Sequence, residues 1–294
     1  MLTRELLRKI RKIEIVTERL VRDRMAGQYH SVFKGAGIAF SEVRQYMPGD
    51  DIRMIDWNVS ARMNGPYVKL FVEEREMTVM LLVDMSASGR FGSAEEEKRE
   101  LAAELAAVLA FSAIKNNDRV GLIIFTDKVE RFVPPKKGKK HVLRVITEIL
   151  SFTPSSTRTN LAVGVDFMGH VARRRAVAFL VSDFLCPQES YERALRVASQ
   201  RHDLIPVVVS DPLESALPRV GIIDLYDPET GELVTFDTSG PEARAFAAES
   251  RRQSDARDAL FRRLSLDPIA VSTDQPYRPA LTSFFEARAR RLRH

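Results

Sequence analysis

The stretch that decides the fold is MTVMLLVDMSAS, residues 77–88. Its first part is an apolar run that ends in Asp84, which is typical of a strand buried on both faces of a sheet. A helical pattern over residues 94–116 and a second apolar run, DRVGLIIFT at residues 118–126, follow it. Because strands that alternate with helices form βαβ units, this region predicts a mostly parallel sheet with right-handed crossovers.

The same alternation continues toward the carboxyl end of the chain. Further apolar runs occur in AVAFLVSD at 176–183, DLIPVVVSD at 203–211 and PIAVST at 268–273, with helical patterns between them. Residues 221–238 interrupt the alternation, since two alternating stretches flank a glycine-bearing turn, and they predict an inserted β-hairpin. We therefore expect an α/β domain with a doubly wound, mostly parallel sheet over residues 76–294.

The residues before this domain have a different texture. Apolar residues of the segment 2–25 recur at helical spacing among charges, which predicts an amphipathic helix. Residues 26–75 consist of short alternating stretches between glycines, a pattern that favours a small β-rich module. We expect the helix and the module to form a first domain over residues 1–75.

Composition sets the class of protein. The 294 residues carry 45 Lys and Arg against 40 Asp and Glu, a formal net charge of +5. No apolar run approaches the roughly 20 residues that span a bilayer, and the charged first residues exclude a signal-peptide core. A single cysteine, Cys186, excludes an internal disulfide framework and a cysteine-cluster zinc site. We expect a cytoplasmic protein without a transmembrane segment, and contact of the first helix with a membrane surface stays open as an alternative.

Polar side chains follow the apolar runs where the predicted strands end. Asp84, Ser86 and Ser88 come directly after the first run, Asp183 ends a later one, and a loop containing Thr157 and Thr159 lies between them. Ligands of open parallel sheets bind beyond the carboxyl ends of the strands, so we expect these oxygens to converge.

Oxygen donors of this kind suit a hard divalent cation such as Mg²⁺. In an extended loop, Asp84, Ser86 and Ser88 project toward one side, so that all three can face the same ion. A metal-free alternative stays open, in which the two serines cap the next helix and Asp84 accepts backbone N–H groups. Because no His, no Cys and no obvious general base accompany these residues, binding is favoured over catalysis.

This combination resembles the metal-ion-dependent adhesion site of von Willebrand factor A-type domains. The resemblance implies a von Willebrand A-type sheet and Mg²⁺ (or Mn²⁺) bound by Asp84, Ser86, Ser88, Thr159 and Asp183. It also implies that an acidic residue of a protein partner completes the coordination of the metal. The sequence departs from the commonest pattern at Asn160, where many such domains have an acid.

A second resemblance narrows the family. The segment GIAFSEVRQYMPGDDIRMIDWNVSAR, residues 37–62, is similar to the hallmark of the bacterial domain-of-unknown-function 58 family. Members of that family carry this segment before a von Willebrand A-like domain. The resemblance implies a non-enzymatic protein-interaction module that works with MoxR-class AAA+ ATPases in complex assembly or maturation.

The GDDIRMIDW segment also has an interpretation from its residues alone. Asp50, Asp51 and Asp56 alternate with Arg44, Arg53 and Arg62 around Trp57, the single tryptophan of the chain. We expect a structural ion-pair network that locks the small module onto the α/β domain, with Trp57 as its buried centre. A direct partner-binding surface is the alternative.

Two other functions compete with metal-assisted binding. A metal-dependent phosphohydrolase of the haloacid-dehalogenase type would also place Asp84 after the first strand, but its acid/base position is occupied by Ser86, which cannot transfer the proton. Nucleic-acid binding would use the basic termini and KKGKKH at residues 136–141. Since no aromatic residues for base stacking are interleaved with these clusters, we expect no specific nucleic-acid partner.

Overall fold

A computed structural model describes residues 4–20, 27, 29, 32–33, 39–63, 65–72, 76–86, 98–226 and 233–291. The chain forms two compact units. The smaller is Phe33–Met77, and the larger combines Met1–Val32 with Thr78–His294.

The elements are as follows. Strands in the described residues are β1 Ala39–Gln45, β2 Tyr67–Val72, β3 Thr78–Asp84, β4 Arg119–Phe125, β5 Val129–Lys136, β6 Val177–Ser182, β7 Asp203–Ser210, β8 Ile222–Tyr226, β9 Leu233–Asp237 and β10 Ile269–Ser272. Helices there are α1 Arg4–Leu20, α2 Trp57–Arg62, α3 Lys98–Lys115, α4 Lys139–Ser151, α5 Leu161–Val171, α6 Glu192–Arg201, α7 Pro212–Ser215, α8 Pro241–Arg263 and α9 Tyr277–Arg291.

A six-stranded sheet forms the centre of the larger unit. Its strand order is β10-β7-β6-β3-β4-β5, and only the edge strand β5 runs antiparallel to its neighbour. Strand β3 lies between β4 and β6, and its residues from Val79 to Val83 are all buried. The apolar run at the start of the domain therefore forms a central strand, and the predicted doubly wound, mostly parallel α/β class is confirmed.

Helices cover both faces of this sheet. Met80 and Leu82 of β3 belong to a core that also contains buried residues of α5, α6 and the end of α8. Alternate residues of a strand point to opposite faces, so Val79, Leu81 and Val83 face the other layer, which contains α3 and α4. This arrangement leaves the carboxyl ends of β3, β4 and β6 side by side at one edge.

The N-terminal helix belongs to the larger unit, which differs from the expected division at residue 75. Ile10 and Ile13 of α1 are buried, and α1 packs on α3 and α4. Lys139, at the start of α4, pairs with Glu14 at 2.8 Å and with Glu18 at 2.5 Å. The apolar face of α1 therefore packs within the protein itself, against the surfaces of α3 and α4.

The predicted inserted hairpin is confirmed. Strands β8 and β9 pair antiparallel, from Ile222 opposite Asp237 to Tyr226 opposite Leu233, and they form a separate two-stranded sheet. Phe236 of β9 packs edge-to-face on Phe246 of α8, with ring centroids 6.2 Å apart.

The smaller unit is an antiparallel ribbon of β1 and β2 with two short helical segments between the strands. These segments are a 3₁₀ turn, Ile52–Met54, and the helix α2. Among the residues of this unit whose side chains the structure describes, Phe33 and Val68 are buried. In the described part of the chain, no helix is long and apolar enough to cross a membrane.

Candidate metal centre

Strand pairing brings the two predicted carboxylates together. Val83 of β3 lies opposite Val181 of β6, so that the side chains at the ends of these strands meet. The hydroxyl of Ser182 donates a hydrogen bond of 2.7 Å to Oδ2 of Asp84. Asp183 is the next residue along the chain and is 8% exposed.

The carboxylate of Asp84 lies in a desolvated environment. Its Oδ1 accepts a hydrogen bond of 3.0 Å from the backbone N–H of Ser86, and the Ser86 side chain also bonds to it. Burial and the nearby charge of Asp183 raise the pKa of Asp84 to about 6, although the bonds from Ser86 and Ser182 oppose this rise. A bound cation would offset this loss of solvation.

A tight turn fixes the orientation of Asp183. Phe184 adopts a left-handed conformation with φ of 57°, and its N–H donates a hydrogen bond of 3.1 Å to the Ser182 hydroxyl. Oδ1 of Asp183 accepts a hydrogen bond of 3.3 Å from the N–H of Leu185. Ser182 therefore serves both acids, because it donates to Asp84 and accepts from the turn that holds Asp183.

A buried lysine, absent from the sequence prediction, occupies the other side of Asp183. The ammonium of Lys98 lies 2.8 Å from Oδ2 of Asp183 and also pairs with Glu214. The Lys98 side chain is 2% exposed. Burial alone would lower the pKa of Lys98, but the charges of Asp183 and Glu214 outweigh it and hold that pKa above its usual value. The two carboxylates thus favour the charged form of Lys98.

Glu214 reaches the site because it belongs to the capping box of α7. Oε2 of Glu214 accepts from the N–H of Asp211 at 3.0 Å, while Asp211 Oδ1 accepts from the N–H of Leu213 at 3.0 Å. Helix α7 directly follows β7, the neighbour of β6 in the sheet. Its first turn therefore starts at the same edge as the two aspartates.

These groups surround a small cavity of about 30 Å³. Its polar lining consists of Asp84, Ser86, Ser182, Asp183, Lys98 and Arg99. Such a volume suits one or two atoms of the size of a water oxygen or a bare metal ion.

The donor set fits a hard divalent cation. Asp84, Asp183 and the hydroxyls of Ser86 and Ser182 offer oxygen atoms only, and burial raises the pKa of Asp84. Within the described residues, no cluster of three or more His, Cys, Asp or Glu could hold a metal. A cation here would have few protein carboxylates, as Mg²⁺ does in proteins.

The other predicted ligands lie elsewhere or outside the described residues. Thr159 is on the loop between α4 and α5, and the adjacent Asn160 N–H donates to the carbonyl of Thr126 at 3.2 Å, beyond the end of β4. This loop therefore reaches the same edge, but Thr159 is not among the described residues that line the cavity. Ser88 lies outside the residues that the structure describes.

The departure at Asn160 has a local cause. Its side chain accepts a hydrogen bond of 3.1 Å from the N–H of Ala162 and so caps α5. Asn is among the best N-cap residues, so this position stabilises the helix that follows the loop.

The acidic residues of GDDIRMIDW have their partners within the smaller unit. Asp50 forms a two-pronged ion pair with Arg44, at 2.8 and 2.7 Å, which lowers the pKa of Asp50. Asp51 caps the 3₁₀ turn by accepting from the N–H of Arg53 at 2.9 Å. Asp56 caps α2 and lies 3.4 Å from Lys69.

The expectation that Trp57 is buried is wrong, because its side chain is 68% exposed. Trp57 is the first residue of α2, directly after the cap Asp56. The described residues of this unit form a two-stranded ribbon with two short helical segments, and they do not enclose a side chain of this size.

Comparison with known proteins gives the family. A family profile described as "Protein of unknown function DUF58" matches residues 42–257. The chain belongs to the DUF58 family. This DUF58 chain is 33% identical over 285 residues to the uncharacterized protein Rv1480 of Mycobacterium tuberculosis, covering 96% of the chain and 89% of the relative. It is 29% identical over 139 residues to the uncharacterized protein YeaD of Bacillus subtilis, covering 46% of the chain and 31% of the relative.

Solved structures similar to this DUF58 protein include BatB from Bacteroides thetaiotaomicron, with a TM-score of 0.49 and 14% identity over 73% of the chain and 99% of BatB. They also include the von Willebrand A domain of SpRpn10, with a TM-score of 0.40 and 13% identity over 71% of the chain and 95% of that domain. Likeness at this level carries no functional argument, and the fold of this DUF58 chain rests on its own strand order.

Sequence reasoning missed Lys98 and Glu214 as parts of this site, whereas Ser182 was noted at the strand end together with Asp183 but was not assigned a role. Lys98 lies in a run of charges, AEEEKRE, that resembles a solvated helix start. Glu214 could have been found by the rule that found the aspartates, which looks for polar residues after the strand ends. It closely follows the end of the DLIPVVVSD strand.

Proposed function

We propose that this DUF58 chain is a non-enzymatic interaction module that binds an acidic side chain of a protein partner through a divalent metal. The metal is Mg²⁺ or Mn²⁺, and the proposed ligands are Asp84, Ser86, Ser88, Thr159 and Asp183. One observation carries the proposal: the desolvated Asp84 lies beside Asp183 in a small polar cavity at the carboxyl edge of the sheet.

The chemistry of the donors explains why the metal would recruit a partner. Neutral hydroxyls and waters leave most of the charge of a divalent cation uncompensated, so a carboxylate from outside completes its coordination. The chain's own residues orient the two acids: Ser182 holds Asp84, and the turn at Phe184 holds Asp183. In this proposal the site binds a partner and breaks no bond.

Several contacts argue against a hydrolase. Ser86 stands where a phosphatase of the haloacid-dehalogenase type needs its acid/base carboxylate, and Lys98 already pairs with Asp183 and Glu214. Cys186 is close by in sequence, but burial raises the pKa of its thiol to about 11, so that it stays protonated at neutral pH. The thiol of Cys186 is thus not poised as a nucleophile.

The proposed partner is a MoxR-class AAA+ ATPase, and the proposed role is assembly or maturation of a protein complex in the cytoplasm. Support for this partner comes from the family resemblance of residues 37–62. An ATPase surface that offers an Asp or Glu to the metal would satisfy the chemistry of the site.

Calorimetric titration of Mg²⁺ and Mn²⁺ into the metal-stripped full chain tests the metal. Asp84→Asn removes the desolvated charge, and Asp166→Asn is the matched control, because Asp166 is an exposed residue of α5. We expect saturable binding by the wild type and by the control, and none by Asp84→Asn. Equal binding by all three proteins would place any metal elsewhere.

A second experiment tests the partner. A purified MoxR-class ATPase is titrated with the chain in Mg²⁺ and then in chelator, using the same variants. We expect binding that requires both metal and Asp84. Binding that ignores chelator and Asp84→Asn contradicts metal-assisted recognition, and vanadate-sensitive hydrolysis of a phosphate ester by the chain would favour the enzyme instead. Binding of duplex DNA or RNA that weakens steeply with salt would favour the nucleic-acid alternative.

A further inference from the structure

The most deeply buried cation at the sheet edge is the ammonium of Lys98. It joins two carboxylates that come from distant parts of the chain, Asp183 after β6 and Glu214 in α7, 85 and 116 positions away. Its side chain is 2% exposed, and Asp183 is nearly as buried. A pair this well enclosed is held by geometry and not by the flexible contact of a surface ion pair.

The position of the ammonium matters for the proposed metal. Both carboxylate oxygens of Asp183 are already engaged, Oδ1 by the N–H of Leu185 and Oδ2 by Lys98. Asp84 differs, because its described hydrogen-bond donors are the uncharged groups of Ser86 and Ser182. The site therefore holds a cation on one of its two acids and none on the other.

A divalent cation and an ammonium repel each other strongly in a desolvated cavity. A metal that contacts Oδ2 of Asp183 directly therefore competes with Lys98 for that oxygen. Glu214 provides a place for the displaced ammonium, because it already pairs with Lys98. Little rearrangement is needed, because Lys98 loses its ion pair with Asp183 and keeps the one with Glu214.

We propose that Lys98 is an internal competitor of the divalent metal, which neutralises Asp183 in the metal-free protein and lowers the affinity of the site for Mg²⁺ and Mn²⁺. The inference rests on the proposed metal site and assigns a new role to a residue outside its ligand set. Metal binding is then coupled to a shift of Lys98 from Asp183 to Glu214. The alternative is a purely structural ion pair, whose loss would destabilise the protein equally with and without metal.

The test compares metal affinity in variants of Lys98. Lys98→Gln keeps a hydrogen-bond donor without the charge, Lys98→Met removes both, and Lys98→Arg keeps the charge. Lys140→Met is the matched control, since Lys140 is an exposed lysine of α4. Mg²⁺ and Mn²⁺ dissociation constants are measured by calorimetry, and thermal unfolding midpoints are measured with and without metal.

We expect Lys98→Gln and Lys98→Met to bind metal at least about tenfold more tightly than the wild type does. Their unfolding midpoints should also rise further on addition of metal, since the metal replaces the missing charge. Lys98→Arg and Lys140→Met should bind no more tightly than the wild type. If Lys98→Met folds only with metal present, rescue by Mg²⁺ but not by NaCl of equal ionic strength supports competition as well.

Unchanged affinity in Lys98→Gln, together with an equal loss of stability with and without metal, overturns the inference and leaves the proposed metal site standing. Absence of metal binding in the wild type and in every Lys98 variant contradicts both. Binding that appears only after removal of the Lys98 charge supports the inference, and shows that the wild-type site is closed by its own lysine.

Discussion

The hydroxyl of Ser182 donates a 2.7 Å hydrogen bond to Oδ2 of Asp84, across 98 positions of sequence. The bond exists because β3 and β6 are neighbours in the sheet although two strands and three helices separate them in the chain. It links the DxSxS loop to the turn that holds Asp183, and thus joins the two acids of the candidate site into one unit.

Ser182→Ala should destabilise the protein by about 1–3 kcal/mol, because Asp84 loses a donor and the N–H of Phe184 loses its acceptor. Urea unfolding measures the change. The control is Ser199→Ala on α6, whose exposed hydroxyl bonds only locally, to the carbonyl of Arg196, and which should stay within about 0.5 kcal/mol of the wild type. A Ser182→Ala protein as stable as the control would show that the bond contributes nothing.

Gly164→Ala should destabilise the protein, because a Cβ at this position would lie 2.5 Å from Cδ1 of Phe125. Overpacking of this kind costs about 1–3 kcal/mol. Gly169 lies in the same helix, α5, and a Cβ there meets nothing within 4 Å. Gly169→Ala should therefore stabilise the helix by about 0.5–1 kcal/mol. Thermal unfolding of the two variants gives opposite shifts if α5 packs on β4 as described, and shifts of the same sign contradict this packing.

His202 should make stability depend on pH. Its Nδ1 accepts a hydrogen bond of 3.3 Å from the N–H of Ala176, and the ring is 3% exposed. Burial, with the charges of Arg201 and Arg175, lowers the pKa of His202 below its ordinary value of 6.5. The unfolded chain then binds the proton more readily than the folded protein. The stabilisation is fully present above pH 6.5 and is lost as the pH falls through the lowered pKa.

Urea unfolding at pH 7.5 and 5.5 measures this loss. His202→Asn keeps an acceptor for the N–H of Ala176 and cannot titrate, so the difference in stability between the two pH values should shrink in this variant. A difference as large as that of the wild type would assign the pH dependence to other groups.

The fluorescence of Trp57 should show that this residue of the smaller unit is exposed to solvent. Because it is the single tryptophan of the chain and is 68% exposed, its fluorescence should peak near the value of a solvated indole and should be quenched readily by acrylamide. Trp57→Ala should change stability by less than about 0.5 kcal/mol. Asp56→Ala removes the cap of α2 and should destabilise the unit by more than Trp57→Ala does. A blue-shifted, unquenched emission would show that Trp57 is covered in solution.

Much of the fold follows from sequence because it depends on local pattern. The apolar run before Asp84 predicts a strand buried on both faces, and the alternation of strands with helices predicts a parallel sheet whose polar strand ends share an edge. The meeting of Asp84 and Asp183 is a consequence of that rule. The hairpin at 221–238 was also predictable, since its alternating stretches flank a glycine-bearing turn.

Local sequence pattern does not show which residues are buried by contacts between distant segments of the chain. The helix α1 has the same amphipathic pattern whether it packs on the protein or on a partner, and only the surfaces of α3 and α4 settle the choice. Trp57 has the large apolar side chain that is typical of a core residue, but the thin ribbon around it leaves it exposed.

By itself the sequence determined the class of fold, the central strand and the two acids at its edge, because these depend on periodicities of a few residues and on a general property of parallel sheets. Only the tertiary structure decided that Lys98 lies between Asp183 and Glu214. Nothing in a charged run such as AEEEKRE distinguishes a solvated lysine from a buried one. The distinction arises because the order of the strands brings the start of α3, the end of β6 and the first turn of α7 to one point, where burial makes each charge depend on the others.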